Sequence, residues 1–121
     1  MVATILVVED NERSMKLVRD VLRASGYRTL EAASGEEAIE LAEAHAPELV
    51  LMDVHLPRID GESALGRLRG SDRTATIPVV ALTAQAMDGD RERLLGAGFD
   101  GYLSKPVDIV ELVAAVREHV E

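Results

Sequence analysis

Five polar side chains stand at the ends of short apolar runs, and their types suit phosphoryl chemistry. They are Glu9, Asp10, Asp53, Thr83 and Lys105. Clustered carboxylates repel one another unless a cation neutralises them, and oxygen ligands in a chain without cysteine favour Mg²⁺ over zinc or copper. Asp53 beside such an ion and a lysine has what a carboxylate needs to attack phosphorus, and the product would be an aspartyl phosphate.

Each acidic residue taken alone has a simpler interpretation as a helix cap, because its side chain can accept hydrogen bonds from the first turn of a helix. The five residues define a site only if the fold brings them together. The elements that precede them must therefore be identified.

The apolar runs before these residues are too short for helices. They are continuous and rich in β-branched residues, which is typical of buried parallel strands. Strong strands are predicted at 4–8, 49–52 and 77–82, and weaker ones at 28–31 and 101–103.

Helical patterns separate the strands. Helices are predicted near 12–25, 35–45, 62–69, 88–96 and 108–120. The last has the clearest apolar face, formed by Ile109, Leu112, Val113, Val116 and Val120. Ser34 before Glu37 and Asp108 before Glu111 have the spacing of a capping box, which supports two of the helix starts.

Strand and helix thus alternate five times, which predicts an α/β three-layer sandwich with a parallel sheet between helices. Ligands of such sheets bind beyond the carboxyl ends of the strands. The five polar residues lie at those ends, so the sequence predicts that they meet in one site.

The composition narrows the possible functions. A chain of 121 residues has the length of one domain, here 1–121. Its net charge of -9 opposes binding to nucleic acid or to anionic membranes, and no apolar run is long enough to span a bilayer. Without cysteine it has no disulfide or thiolate site, and we expect a cytoplasmic protein.

Four ordered motifs resemble those of the response-regulator receiver family. They are Val8-Glu9-Asp10-Asn11, residues 51–57 with Asp60-Gly61, residues 78–84, and Tyr102-Leu-Ser-Lys105-Pro106. The resemblance covers the whole chain and implies a flavodoxin-like (βα)5 fold with strand order 2-1-3-4-5. Within the family, residues 8–17 and 83–92 are most similar to a stand-alone regulator of cell division.

The resemblance implies a phosphoacceptor and a metal site. Asp53 matches the phosphoacceptor. Asp10 and Asp53 match direct Mg²⁺ ligands, together with the backbone carbonyl of His55, and Glu9 matches the acidic residue that holds the metal through water.

It also implies a switch. Lys105 matches the lysine that pairs with a phosphoryl oxygen, and Thr83 the hydroxyl that moves onto the phosphoryl group. Tyr102 matches the aromatic residue that then turns inward, and the peptide bond before Pro106 is cis in such proteins.

The expected function is that of a single-domain response regulator. It takes a phosphoryl group from a histidine kinase or phosphotransfer protein and changes its binding to a downstream protein, at a face formed by residues 88–120. It would turn over no external substrate. Met1 and the end of the last helix at Glu121 favour a complete chain over a receiver excised from a hybrid kinase.

One enzymatic alternative is a Mg²⁺-dependent phosphatase or phosphotransferase that works through an aspartyl phosphate. Haloacid-dehalogenase-like enzymes of this kind carry a second Asp two residues after the nucleophile, where this chain has His55. They also need a cap or substrate pocket, for which 121 residues leave little room. A degenerate receiver that only binds is disfavoured because no site residue is missing.

Overall fold

The computed structural model describes residues 2–84 and 90–120. Within them the strands are β1 (Thr4–Val8), β2 (Arg28–Ala32), β3 (Leu49–Asp53), β4 (Val79–Thr83) and β5 (Gly101–Ser104). The helices are α1 (Glu12–Ala24), α2 (Gly35–His45), α3 (Gly61–Arg69), α4 (Asp90–Ala97) and α5 (Ile109–Val120). Residues 88 and 89 of the predicted fourth helix lie outside the described part.

The five strands form one parallel sheet in the order β2-β1-β3-β4-β5. Val8 pairs with Met52, Asp53 with Leu82, and Thr83 with Ser104. The carboxyl ends of β1, β3, β4 and β5 therefore lie along one edge of the sheet. The predicted α/β fold and its strand order are confirmed.

Two apolar cores, one on each face of the sheet, make the three layers. One face packs against α2, α3 and α4, with Ala38, Leu65 and Leu94 among the buried side chains. The other packs against α1 and α5, through residues such as Leu22 and Leu112. Because both faces are covered, the three central strands β1, β3 and β4 are largely buried and apolar, and their polar groups stand at the strand ends.

The fourth strand begins two residues later than predicted. Ile77 belongs to a turn, where its N–H donates to the carbonyl of Thr74 over 3.1 Å, and Pro78 has no N–H to donate. β3 and β4 each extend one residue further than predicted, so Asp53 and Thr83 are the last strand residues rather than the first loop residues.

The predicted apolar face of α5 is correct only in part. Leu112 and Val116 are fully buried, but Ile109 is 53% exposed. Its side chain does not join the core that Leu112 and Val116 enter. No helix in the described ranges is long and apolar enough to cross a bilayer.

Candidate functional site

The site forms where the ends of β1, β3 and β5 meet. Glu9 and Asp10 follow β1, Asp53 ends β3, and Lys105 follows β5. Two backbone hydrogen bonds continue the sheet past the strand ends, from the Glu9 N–H to Ala32 O (2.9 Å) and from the Lys105 N–H to Thr83 O (2.8 Å). The sheet therefore fixes the Cα positions of the residues that the sequence placed in one site.

Lys105 bridges two buried carboxylates. Its Nζ donates to Asp53 Oδ2 over 2.9 Å and lies 2.5 Å from Glu9 Oε2. Asp53 is 4% exposed and Glu9 2% exposed, so little water screens these charges. The other carboxylate oxygen of Asp53 accepts the His55 N–H over 2.9 Å, which fixes the orientation of the Asp53 carboxylate.

Three carboxylates lie close enough to share a cation. One oxygen from each of Glu9, Asp10 and Asp53 falls within 4.8 Å of the others. Glu9 Oε2 is buried, and the Lys105 ammonium group 2.5 Å away is shared with Asp53, so this one cation does not fully satisfy the oxygen. An under-satisfied buried oxygen in an all-oxygen cluster suits a hard divalent cation, so the residues fit Mg²⁺.

The pKa of two of these groups departs from its ordinary value. Burial raises the pKa of Glu9, while hydrogen bonds from Lys105 and from the Asn11 backbone partly offset that effect. Burial disfavours the charged form of Lys105, but hydrogen bonds to Glu9 and Asp53 more than compensate, and its pKa is raised. The lysine is therefore a fixed cation at neutral pH.

Two helix caps hold the loops of the site, and the sequence analysis did not assign them this role. Asn11 Oδ1 accepts the N–H groups of Arg13 and Ser14, both over 3.0 Å, so α1 begins directly after Asp10. Asp60 Oδ1 accepts the Ser63 N–H over 2.8 Å at the start of α3, and that bond lowers the pKa of Asp60. Their signal was available, because Asn and Asp are favoured N-cap residues.

Gly61 supports the backbone of Asp53. Its N–H donates to Val54 O over 3.0 Å, and a Cβ added to it would lie 2.6 Å from Asp53 O and 2.9 Å from Val54 Cα. The start of α3 is thus packed against the end of β3 at a distance that only glycine permits.

Thr83 and Tyr102, the two predicted switch residues, lie on the neighbouring strands β4 and β5. Thr83 is 1% exposed at the end of β4, and Tyr102 is partly buried against the core beneath α4. Tyr102 also lines a cavity of about 260 Å³ together with Arg91, Leu95 and His119. The Lys105–Pro106 peptide bond is cis.

A doubly wound five-stranded sheet with an acidic cluster and a lysine at its strand ends is the architecture of a phosphorylation-dependent signalling domain. The sequence model of the response regulator receiver domain matches residues 5–117. The chain therefore belongs to the response-regulator receiver family, which is a family of regulators and not of conventional enzymes. The family resemblance predicted from the four motifs is confirmed.

Known proteins agree with this assignment. The chain is 41% identical over 120 residues to the polar-differentiation response regulator DivK of Brucella ovis, and the match covers 99% of this chain and 98% of that protein. The receiver domain of a sensor histidine kinase from Pseudomonas aeruginosa PAO1 superposes with a TM-score of 0.91 at 38% identity, covering 99% of this chain and 98% of that one. That domain has a magnesium ion coordinated in its active-site cleft.

A third protein supports the fold alone. The chemotaxis protein CheY4 of Vibrio cholerae superposes with a TM-score of 0.91 at 24% identity, covering 98% of this chain and 99% of that one. The family match over residues 5–117 and the similarity to DivK, rather than this structure, assign the chain to two-component signalling.

Proposed function

We propose that Asp53 accepts a phosphoryl group from a phosphohistidine of a histidine kinase or phosphotransfer protein. A carboxylate oxygen of Asp53 forms a bond to phosphorus, the P–N bond of the donor breaks, and the donor imidazole, protonated on its other nitrogen, leaves neutral. The observation that carries this proposal is the position of Asp53. Lys105 Nζ lies 2.9 Å from its Oδ2, and two further carboxylates lie within 4.8 Å.

The same proposal assigns the metal ligands. Asp10 and Asp53 would hold Mg²⁺ through their carboxylates and His55 through its backbone carbonyl, with Glu9 acting through water. When bound, the ion neutralises these carboxylates and the charge of the transferring phosphoryl group. Support comes from the all-oxygen cluster with its under-satisfied Glu9 Oε2, and from the magnesium in the Pseudomonas receiver.

After transfer, three side chains act on the product. Lys105 pairs with one phosphoryl oxygen, the Thr83 hydroxyl donates to another, and Tyr102 turns inward into the space that Thr83 leaves. These movements are the switch in this proposal. Each depends on phosphorylation of Asp53 and alters the packing near α4 or β5.

The output of the switch is a protein-binding face built from residues 88–120, of which 88 and 89 lie outside the described part. Leu95 is 39% exposed and Val110 77% exposed on this face, and both are available to a partner. With a net charge of -9, the downstream partner is a protein rather than nucleic acid or a membrane.

The similarity to DivK over 98% of that protein supports action as a single domain. In this proposal the chain modifies only itself, turns over no external phosphate ester, and works in the cytoplasm, where soluble phosphodonor proteins reach it. Release of phosphate from p-nitrophenyl phosphate with repeated turnover would contradict the first two points.

Intact mass spectrometry after incubation with acetyl phosphate and Mg²⁺ tests the phosphoacceptor. We expect one added phosphoryl group on the wild type and none on Asp53→Asn. Asp60→Asn is the matched control, because it removes a nearby carboxylate yet keeps a side chain that caps α3. It should label like the wild type. Equal labelling of wild type and Asp53→Asn would contradict the assignment.

A further inference from the structure

Helix α4 is attached to α3 by arginine contacts in its first half and just beyond its C-terminal end. Arg93 on α4 forms an ion pair with Glu62 in the first turn of α3. At the other end, Arg69 of α3 donates to Gly98 O over 3.3 Å and to Asp100 Oδ2 over 2.8 Å, in the turn that follows α4. These polar contacts matter because α4 has little apolar anchoring.

Among residues 91–97 of α4, one apolar side chain is buried in the core. Leu94 is fully buried, but its neighbour Leu95 is 39% exposed. A helix secured in this way is easier to displace than its neighbours.

The Glu62 end of the ion pair is fixed to the phosphorylation site. Glu62 directly follows Gly61, whose N–H donates to Val54 O and whose Cα lies against the Asp53 carbonyl. The Asp60 cap holds the same turn. The first turn of α3 therefore stays in place relative to the end of β3.

The Arg93 end lies on the helix that follows β4. In the proposed function, Thr83 at the end of β4 moves toward the phosphoryl group, and α4, the next helix along the chain, would be displaced with it. The Arg69 contacts hold the turn that follows α4, and Arg69 is itself held by a hydrogen bond from its Nη1 to Ile77 O over 2.6 Å, just before β4. A displaced α4 would thus pivot about its C-terminal end, and Arg93 would leave Glu62.

We propose that the Glu62–Arg93 ion pair is a latch that holds α4 in its unphosphorylated position and so sets how readily the domain switches. This inference rests on the proposed function. A contact present in only one of two states shifts their equilibrium by its own interaction free energy. Both side chains are partly exposed, at 39% and 48%, so the shift expected from such a pair is about two- to fivefold.

Beryllofluoride is an analogue of the phosphoryl group. Its apparent affinity in the presence of Mg²⁺ measures how strongly the latch opposes switching. If the switched state binds the analogue, raising its population tightens the apparent affinity by the same factor. We expect Glu62→Gln and Arg93→Gln each to bind about two- to fivefold more tightly than the wild type. The double variant should bind no more tightly than the stronger single variant, because both remove one interaction.

Two further variants sharpen the test. The charge exchange Glu62→Arg with Arg93→Glu should return the affinity toward that of the wild type. Glu111→Gln is the matched control, because it removes an exposed first-turn glutamate from α5 and should leave the affinity unchanged. Amide exchange in residues 90–97 of Glu62→Gln, without the analogue, should be faster than in the wild type.

The outcomes separate the latch from the proposed function. If the wild type takes up neither a phosphoryl group from acetyl phosphate nor beryllofluoride, the proposed function fails and the latch fails with it. If the wild type binds beryllofluoride but the single variants bind with wild-type affinity, or their effects add in the double variant, only the latch is wrong. A Glu62→Gln variant that melts like the wild type but shows unchanged exchange in α4 also overturns it.

Discussion

The ammonium group of Lys105 lies 2.9 Å from Oδ2 of Asp53, although 52 residues separate the two in the chain. The same ammonium group lies 2.5 Å from Glu9 Oε2, so one cation is shared between two buried carboxylates. One positive charge cannot neutralise both, and the site therefore retains negative charge that a metal ion would offset.

A first prediction concerns the pH dependence of stability without metal. Because burial raises the pKa of Glu9 above its ordinary value of 4.5, the folded state holds its proton to higher pH than the unfolded chain does. The stability that this group contributes is fully present below about pH 4.5 and is lost as pH rises through the folded pKa. Glu9→Gln should abolish this loss.

Urea unfolding in EDTA between pH 4 and 8 measures this loss of stability. The free energy of unfolding of the wild type minus that of Glu9→Gln should fall as pH rises. Glu40→Gln, an exposed substitution on α2, should give a difference that does not depend on pH in this way. A difference that rises with pH would show that the hydrogen bonds from Lys105 and Asn11 outweigh burial.

A second prediction is that Mg²⁺ stabilises the fold, since the ion finds the cluster of Glu9, Asp10 and Asp53 only in the native state. At a hundredfold excess over the dissociation constant, the gain would be about 2.7 kcal/mol. Thermal melts with and without Mg²⁺ should show the shift in the wild type and in the surface control Asp72→Ala. The shift should be absent in Asp10→Ala, and a wild-type melting temperature insensitive to Mg²⁺ would argue against the metal site.

A third prediction uses two glycines of the same helix. Gly61→Ala should cost about 1–3 kcal/mol, because its Cβ would lie 2.6 Å from Asp53 O and force backbone to move. Gly66→Ala should stabilise by about 0.5–1 kcal/mol, since nothing lies within 4 Å of its Cβ and alanine is the better helix former. Chemical denaturation gives both values. Equal effects at the two positions would show that α3 is not held against Asp53.

The fold and most of the site could be predicted because local pattern and site chemistry agree. Ile5–Val8 is apolar and fully buried, since both faces of the sheet are covered at β1, and the strand Thr4–Val8 has the predicted bounds. The polar residues of such a central strand stand at its ends. This is why Glu9, Asp53 and Lys105 were found from the sequence before any distance was known.

What the sequence did not show depends on long-range contacts. Nothing in the residues near Gly61 indicates that its Cα lies against the Asp53 carbonyl, and nothing near Glu62 indicates Arg93 as its partner, 31 residues away. The exposure of Ile109 was missed for a related reason, because helical periodicity does not tell how much of a helix's apolar face the rest of the fold covers. Such features are set by how elements pack and not by their own patterns.

The last prediction concerns the route from Asp53 to the output face. Thr83 is buried at the end of β4, and Tyr102 on the neighbouring strand β5 lines the cavity that Leu95 and His119 share. In the proposed function, Tyr102 turns into the space that Thr83 leaves. In the wild type, beryllofluoride should alter amide exchange in residues 90–104. Thr83→Ala should still bind the analogue but lose most of this response, because a methyl group cannot donate to the phosphoryl oxygen.

Thr74→Ala is the control, because it removes a second buried threonine, whose hydroxyl donates to Leu68 O away from the site. This variant should respond like the wild type. If the change appears only in α1 and α2, or if Thr83→Ala responds as strongly as the wild type, the signal reaches its partner by another path.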